Sequence, residues 1–197
     1  MIETIIPIIL AAGRGSRFGE ENKLSYNIEG RSIIDNTLDP FLHFFKTIVI
    51  VLGYDSNNMK NYLEKKDSKI KIMVNTNWEK GGMSSSIKAG LKMVSEEFDC
   101  LGIFIHPGDI PFVTIKDLKT VVQKVKEHDY KNIVIPKHEK RKGHPIYIPK
   151  RKFSEIFTIS EEAQGLREIV KNNIQDIIYV EAGKGILKDI DKKSDLP

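Results

Sequence analysis

The sequence lacks the features that mark secreted and membrane-bound proteins. It contains one cysteine, Cys100, among 197 residues, so no disulfide can form within the chain. Lys, Asp, Gly or Pro interrupts every apolar run before it reaches the roughly 20 residues that span a bilayer. The N-terminus also lacks the basic, apolar and small-residue segments of a signal peptide. These absences predict a cytoplasmic protein that is not bound to a membrane.

The charge of the chain is modest. The net charge is +4, with 29% charged and 40% hydrophobic residues. Most basic residues are interleaved with acidic ones, and residues 137–142 form the one concentrated basic run. A nucleic-acid groove would need several such runs with aromatic residues among them, so this run predicts a small anionic ligand and no nucleic-acid partner. Length and composition, without a linker or repeat, predict one domain over residues 1–197.

Short apolar runs alternate with amphipathic segments, which is typical of an α/β fold. Strands are predicted at residues 5–11, 47–52, 70–74, 101–106, 132–135, 145–148 and 177–180. Helices are predicted at 84–94 with a serine as N-cap, at 114–126 with a capping box of Thr114 and Asp117, and at 166–172. Continuously apolar strands predict a mostly parallel sheet with helices on both faces. Ligands of such sheets bind at the carboxyl ends of the strands.

A glycine-rich basic loop follows the first strand. Glycines let backbone N–H groups approach a phosphate closely, and basic side chains add positive charge. The residues concerned are Gly13, Arg14, Gly15, Arg17, Gly19 and Lys23. A P-loop would need Gly-Lys followed by Ser or Thr, and a dinucleotide-binding fingerprint would need a glycine where Phe18 stands. The loop therefore predicts an anion site of another kind.

Two acidic motifs suit a hard cation. Asp109 follows the strand predicted at residues 101–106. Because Thr114 is better placed to cap the next helix, we interpret Asp109 as a ligand for Mg²⁺. Near the C-terminus, either Asp189 or Asp191 would complete this cation site. Of Asp189 and Asp191, only one is expected to face the site.

Two further motifs present polar groups beside predicted elements. A glycine pair at residues 81–82 leads into Ser84, Ser85 and Ser86, whose hydroxyls would suit a ribose, a base edge or a phosphate. Capping of the helix would require only one of the three serines. Gly143-His144-Pro145 ends the basic run and opens a strand, so His144 is interpreted either as a ligand contact or as a surface histidine.

In order and over nearly the whole chain, these motifs resemble the MobA-like nucleotidyltransferases of molybdenum cofactor maturation. The segments that carry the resemblance are Leu10-Ala11-Ala12-Gly13, Arg17, Gly19, Lys23-Leu24, Gly82, Ser84-Ser85-Ser86-Ile87, Ala89-Gly90-Leu91, Gly108-Asp109, Pro111, Gly143-His144-Pro145, Gly165-Leu166-Arg167, Asp189-Ile190-Asp191 and Asp195-Leu196. The resemblance implies a single-domain, Rossmann-like, three-layer (GT-A-like) nucleotidyltransferase fold with a mostly parallel mixed sheet. It is strongest to the members that join CMP from CTP to molybdopterin and release pyrophosphate. The guanylyl members tend to have glycine where Ala12 stands, which favours a pyrimidine nucleotide here.

The same resemblance implies roles for individual residues. Arg17, Lys23 and Asp109 would be catalytic, and Asp109 and Asp191 would hold Mg²⁺. The nucleotide-binding residues would be Leu10, Ala11, Ala12, Gly13, Arg14, Gly15, Lys23, Ser84, Ser85 and Asp109. The acceptor would contact Gly143, His144 and Pro145. The partners would be CTP or another NTP, a molybdopterin-type or other phosphate-bearing acceptor, and a client molybdoenzyme.

Two alternative functions fit the same residues. One is an NTP transferase that acts on a sugar phosphate or a small alcohol phosphate. The other is a non-catalytic nucleotide- or cofactor-binding chaperone for a molybdoenzyme, which would bind CTP without turnover. Such a chaperone would have no need of the aspartates of a metal site. Release of pyrophosphate with each NTP and acceptor distinguishes these functions.

Overall fold

The computed structural model describes residues 1–18, 22–161 and 165–196. The strands of these residues are β1 (Ile5–Ala11), β2 (Asn27–Ile28), β3 (Arg31–Ser32), β4 (Ile48–Leu52), β5 (Ile70–Val74), β6 (Gly102–Pro107), β7 (Ile133–His138), β8 (Arg141–Lys142), β9 (Ile146–Pro149) and β10 (Ile177–Glu181). The α-helices are α1 (Ile33–Phe44), α2 (Ser56–Lys66), α3 (Trp78–Glu97), α4 (Ile115–Glu127), α5 (Phe153–Thr158) and α6 (Leu166–Asn172). All seven predicted strands are present, with ends that differ by at most a few residues.

The main sheet is mixed and mostly parallel, as predicted. Its strand order is β10-β7-β9-β6-β1-β4-β5, and β8 pairs with β7 at one end. β1 runs parallel to β4 and β6, β4 to β5, and β10 to β7, whereas β9 runs antiparallel to β6 and β7. β2 and β3 form a separate antiparallel pair. The carboxyl ends of β1, β4, β5 and β6 therefore meet at one edge.

Two apolar layers cover the two faces of this sheet. On β1, Ile5 and Ile9 pack into one layer, while Ile6 and Ile8 pack into the other. This alternation follows from the two-residue period of a strand. Helices α1, α2 and α4 contribute to the first layer, and α3, α5 and α6 to the second. Because both faces are buried, the central strands consist almost entirely of apolar residues, which is the pattern that identified them in the sequence.

The predicted capping box at the start of α4 is confirmed. Thr114 Oγ1 accepts from the Asp117 N–H at 3.1 Å, and Asp117 Oδ2 accepts from the Thr114 N–H at 3.0 Å. Asp117 Oδ1 also accepts from the N–H of Gly183 at 2.6 Å, which ties the loop after β10 to α4. Since Thr114 caps the helix, the carboxylate of Asp109 is not required for that purpose.

The helix predicted at residues 84–94 is present as the later stretch of α3, but its predicted capping by a serine is wrong, since no serine side chain there accepts a backbone N–H from the residues that the structure describes. The helix begins at Trp78, and its regular path is interrupted at Gly82, which has φ 56° and ψ −152°. This left-handed φ is readily adopted only by glycine. The second stretch of the helix starts directly after Gly82, so Ser84, Ser85 and Ser86 lie in its first turn.

Helices α1, α2 and α5 were not predicted from the sequence. Among the helices of the described residues, none has the length and apolar character needed to cross a bilayer.

Candidate active site

The candidate site lies where β1 and β6 end side by side. Leu10 pairs with Pro107, and the Gly108 N–H donates to the Leu10 carbonyl at 2.8 Å. On the opposite side, Thr37 Oγ1 of α1 donates to the Gly108 carbonyl at 2.8 Å. These bonds hold the backbone before Asp109 against the loop that follows β1.

Lys23 connects this loop to two acidic residues. Its Nζ lies 2.6 Å from Asp109 Oδ2 and 3.7 Å from Asp191 Oδ1, and Lys23 is only 9% exposed. Asn22 caps the short 3-10 helix that begins at Lys23. This cap fixes the backbone from which the Lys23 side chain projects. Charges that are shielded from water interact more strongly than exposed ones. Lys23 therefore holds two carboxylates close to one ammonium.

Two cavities open at this edge of the sheet, and Asp109 lies in the wall of both. The larger measures about 760 Å³ and the smaller about 350 Å³. Met83, Pro107 and Asp109 line both of them. Two ligands bound in the two cavities would therefore meet beside the Asp109 carboxylate.

The smaller cavity has largely apolar walls. It is lined by Leu10, Ala12, Gly13, Trp78, Glu79, Gly82, Met83, Ser86, Pro107 and Asp109. Trp78 packs against the end of β4, where a Cβ added to Gly53 would lie 2.6 Å from both Trp78 Cγ and the Ala12 carbonyl oxygen. The Tyr54 N–H donates to that same carbonyl at 3.0 Å. The absence of a side chain at Gly53 thus allows this wall of the cavity to form.

Two residues predicted to bind nucleotide lie elsewhere. Ala11 is buried at 5% exposure in the apolar layer on the other face of β1, because neighbouring residues of a strand point to opposite faces. The Arg14 guanidinium lies over the ring of Tyr54, 5.6 Å from its centroid, and Arg14 lines neither cavity.

The serine run places Ser86 in the smaller cavity, whereas the predicted residues Ser84 and Ser85 do not line it. Ser84 is only 2% exposed. Asn75 Nδ2 donates to Ser85 Oγ at 2.7 Å and to Ser86 Oγ at 3.0 Å. Asn75 was missed in the sequence, and its position directly after β5 is the signal that would have identified it.

The larger cavity combines basic, acidic and apolar side chains. Its further lining residues are Gly15, Ser16, Lys23, Ile110, Arg141, Lys142, Gly143, His144, Arg167, Ile186, Leu187, Asp189 and Asp191. Arg141 and Lys142 come from β8 and Arg167 from the first turn of α6, so two separate elements present cations to one space. Pro145, predicted to contact the acceptor, is buried and does not line the cavity.

The expectation that only one of the two C-terminal aspartates faces the site is wrong. Asp189 and Asp191 both line the larger cavity, while Ile190 between them is fully buried. Residues two apart in an extended segment point to the same face, which accounts for this arrangement. The Ile190 N–H donates to the Asp109 carbonyl at 2.9 Å and fixes the segment beside Asp109.

One histidine, His106, lies beneath the site, and a second, His144, lines the larger cavity. His106 is fully buried, and its Nε2 donates to the Ile110 carbonyl at 3.1 Å. Burial lowers the pKa of His106 to about 3, so its ring stays neutral. Burial also lowers the pKa of His144, and the nearby carboxylates of Asp109 and Asp189 oppose that shift. The two rings lie 6.3 Å apart between centroids.

His106 should make folding stability depend on pH. Its pKa of about 3 lies below the usual value of 6.5, so the unfolded chain binds a proton that the folded chain refuses. Between these values, this group lowers the free energy of unfolding by about 1.4 kcal/mol for each unit that the pH falls. Urea unfolding from pH 7 to pH 4 should therefore show a shallower slope for His106→Gln, whose amide can still donate to the Ile110 carbonyl. Equal slopes in the two proteins would contradict this role of burial.

Two residues of the predicted phosphate loop lie partly or wholly outside the described residues: the side chain of Arg17, and all of Gly19. Within residues 1–18, 22–161 and 165–196, no three His, Cys, Asp or Glu side chains form a cluster ready to hold a metal ion.

Comparison with known proteins identifies the kind of domain. The model of the MobA-like NTP transferase domain matches residues 7–177. The molybdenum cofactor cytidylyltransferase of Escherichia coli is 30% identical over 143 residues, which cover 73% of this chain and 69% of the relative. The 2-C-methyl-D-erythritol 4-phosphate cytidylyltransferase of Caldicellulosiruptor bescii is 29% identical over 126 residues, 61% of this chain and 53% of the relative. The chain thus spans about half the length of the latter protein.

A Methanosarcina mazei protein named "probable molybdenum cofactor guanylyltransferase" is 26% identical over 182 residues, 90% of this chain and 78% of the relative. Among solved structures, Rv0371c from Mycobacterium tuberculosis in complex with manganese superposes with a TM-score of 0.77 at 18% identity. That superposition covers 98% of this chain and 95% of the other, which shows a shared fold.

Proposed function

Because this chain belongs to the MobA-like NTP transferase family, we propose that it transfers CMP from CTP to molybdopterin and releases pyrophosphate. A phosphate oxygen of the acceptor would attack the α-phosphorus of CTP. The bond from that phosphorus to the oxygen bridging to the β-phosphorus would break, and pyrophosphate would leave with the electron pair. Such chemistry depends on positioning and neutralisation of charge, and it requires no protein nucleophile.

The observation that carries this proposal is the position of Asp109 between two cavities of different character. The smaller, largely apolar cavity suits a nucleoside. The larger cavity, with cations on β8 and α6, suits the phosphates and an anionic acceptor. The reacting phosphate groups would then lie beside Asp109 and Lys23.

On the nucleotide side, the backbone at residues 10–13 and the hydroxyl of Ser86 would contact the base and ribose. The methyl group of Ala12 narrows this cavity and favours cytosine over the larger guanine. Lys23 would neutralise the triphosphate and the departing pyrophosphate. Arg17 remains a predicted residue for the same role.

The carboxylates of Asp109 and Asp191 fit a divalent cation, because both supply hard oxygen donors near one position. Mg²⁺ is commonly held by one or two protein carboxylates together with substrate phosphates, so a cluster of three acidic residues is not required. When bound, Mg²⁺ would supply positive charge to the α-phosphate. The manganese bound to the mycobacterial structure supports a divalent cation in this fold.

On the acceptor side, Arg141, Lys142 and Arg167 would bind the phosphate, with His144 beside them. Ile110, Ile186 and Leu187 add an apolar surface to the same cavity. A flat heterocycle such as a pterin would use this surface, whereas a small polyol phosphate would not. This apolar wall favours molybdopterin over the sugar phosphate or small alcohol phosphate of the alternative function. A cytoplasmic location is part of the proposal, supported by the free buried thiol of Cys100.

The test is release of pyrophosphate in the presence of Mg²⁺, measured with each of the four NTPs. Each NTP is combined with molybdopterin, with 2-C-methyl-D-erythritol 4-phosphate, and with no acceptor. We expect the fastest release with CTP and molybdopterin. Release with the polyol phosphate alone would select the alternative transferase, and binding of CTP without release would select the chaperone.

A further inference from the structure

The smaller cavity offers few side chains that can distinguish one base from another. Its walls are mostly apolar or glycine, and the polar side-chain groups that the described residues bring to it are the indole N–H of Trp78, the carboxylates of Glu79 and Asp109, and the hydroxyl of Ser86. Asp109 is bonded to Lys23 and also lines the larger cavity, so it belongs to the phosphate end. Among the described residues, Glu79 and Ser86 remain as side chains that can accept a hydrogen bond from the base, since the Trp78 indole can only donate one.

The hydroxyl of Ser86 is already engaged within the protein. It accepts a hydrogen bond from Asn75 Nδ2 at 3.0 Å and lies 3.5 Å from the Gly82 carbonyl. These contacts use part of its hydrogen-bonding capacity. A hydroxyl can also either donate or accept, so Ser86 does not favour an amino group of a base over a carbonyl oxygen.

The carboxylate of Glu79, unlike the hydroxyl of Ser86, is not engaged by other residues that the structure describes. Glu79 is exposed at the cavity wall, and its carboxylate forms no hydrogen bond or ion pair with any other residue that the structure describes. Glu79 lies in the first turn of α3, one residue after Trp78, whose indole forms part of the same wall. An ionised carboxylate accepts hydrogen bonds and donates none, so it favours a base that presents a hydrogen-bond donor.

We infer that Glu79 is a specificity-determining residue that accepts a hydrogen bond from the exocyclic amino group of the nucleotide base. The inference rests on the proposed function, since it requires a nucleotide in the smaller cavity. Cytosine carries an amino group where uracil carries a carbonyl oxygen, and two facing acceptors repel each other. Glu79 therefore admits CTP and excludes UTP, while the size of the cavity acts separately on purines.

A purely structural role for Glu79 makes a different prediction. An acidic residue in the first turn of a helix stabilises the helix through its dipole. Loss of that effect would lower the melting temperature and would weaken CTP and UTP binding equally. A role in base selection changes the ratio of the two affinities.

The experiment measures dissociation constants for CTP and UTP by calorimetry with Mg²⁺, in the wild-type protein, Glu79→Gln and Glu79→Ala. The glutamine amide can accept from cytosine or donate to uracil, so we expect Glu79→Gln to reduce the preference for CTP about tenfold. Glu97→Gln, which removes the same charge from the far end of α3, should leave both constants unchanged. Melting temperatures of all variants report on folding.

Equal affinity of the wild-type protein for CTP and UTP would overturn the inference, and so would a Glu79→Gln variant that binds CTP with an unchanged ratio. In both cases the proposed nucleotidyl transfer would still stand. A wild-type protein that binds no NTP would refute the proposed function itself, and the role of Glu79 with it.

Discussion

Replacing Asp109 with asparagine is expected to slow pyrophosphate release by about a thousandfold while leaving the fold intact. The substitution keeps the shape of the side chain and removes its negative charge. The charge is required in the proposed reaction because Asp109 would help to hold Mg²⁺ beside the α-phosphate and because it orients Lys23 at 2.6 Å. Steady-state release from CTP and molybdopterin, together with a thermal melt, measures both effects.

Asp99→Asn is the matched control, since Asp99 also pairs with a lysine, Lys150, at 2.8 Å but lies on the surface before the start of β6, at the end of the strand opposite Asp109. It should retain wild-type turnover. If Asp109→Asn released pyrophosphate within tenfold of the wild-type rate, Asp109 would not be part of the catalytic machinery.

The position of Asp109 could be predicted because it depends only on the order of elements. A polar residue directly after a buried parallel strand lies at the carboxyl edge of the sheet wherever the strand is placed. Leu10, Ala12 and Gly13 were predicted from the family resemblance, and all three line the smaller cavity.

Which of the three serines lines the smaller cavity could not be predicted from the order of elements. Ser85 and Ser86 differ by about 100° around the axis of α3, so the start of the helical stretch decides which one faces the cavity. That start is set by the left-handed backbone at Gly82 and by the bonds from Asn75, neither of which leaves a periodic pattern in the sequence.

Arg167 belongs to a motif that carries the family resemblance, but its place in the larger cavity could not be predicted from the sequence. It enters the cavity because α6 packs through Leu166 and Ile169 on the second face of the sheet, far along the chain from β8. Only the packing of these elements reveals that Arg141, Lys142 and Arg167 face one space.

Helices α1 and α2 were not predicted because single residues weaken their helical pattern in the sequence. In α1, Pro40 lies inside the helix, and proline in an apolar segment indicates a break. In α2, only Met59 and Leu63 are buried, and the N-cap Asp55 is left-handed without a side-chain cap bond. Burial against the sheet stabilises both helices despite these weak local signals.

Replacing Lys23 with methionine should separate the effect of the site on stability from its effect on catalysis. The ammonium of Lys23 contacts Asp109 and Asp191, whose side chains are 25% and 34% exposed. Its loss leaves the carboxylates of Asp109 and Asp191 close together without the Lys23 ammonium between them. Because both are partly solvated, we expect the free energy of unfolding to fall by about 2 kcal/mol, less than for a fully buried pair.

Divalent cations should then stabilise the variant more than the wild-type protein. In Lys23→Met, Mg²⁺ would be attracted by the carboxylates of Asp109 and Asp191, with no Lys23 ammonium to compete for them. A cation at 100 times its dissociation constant adds about 2.7 kcal/mol to the free energy of unfolding. Thermal melts of both proteins with and without Mg²⁺ or Mn²⁺ should therefore show the larger increase in melting temperature for Lys23→Met.

Turnover should not recover with the metal, since Lys23 is also proposed to neutralise the triphosphate, and its loss should cost about a hundredfold or more in rate. Lys150→Met removes the surface partner of Asp99 and should change neither the rate nor the response to metal. Equal metal-induced increases in the wild-type protein and Lys23→Met would show that Asp109 and Asp191 do not hold the cation. Restored turnover at high Mg²⁺ would instead mean that Lys23 serves only to pair these two carboxylates.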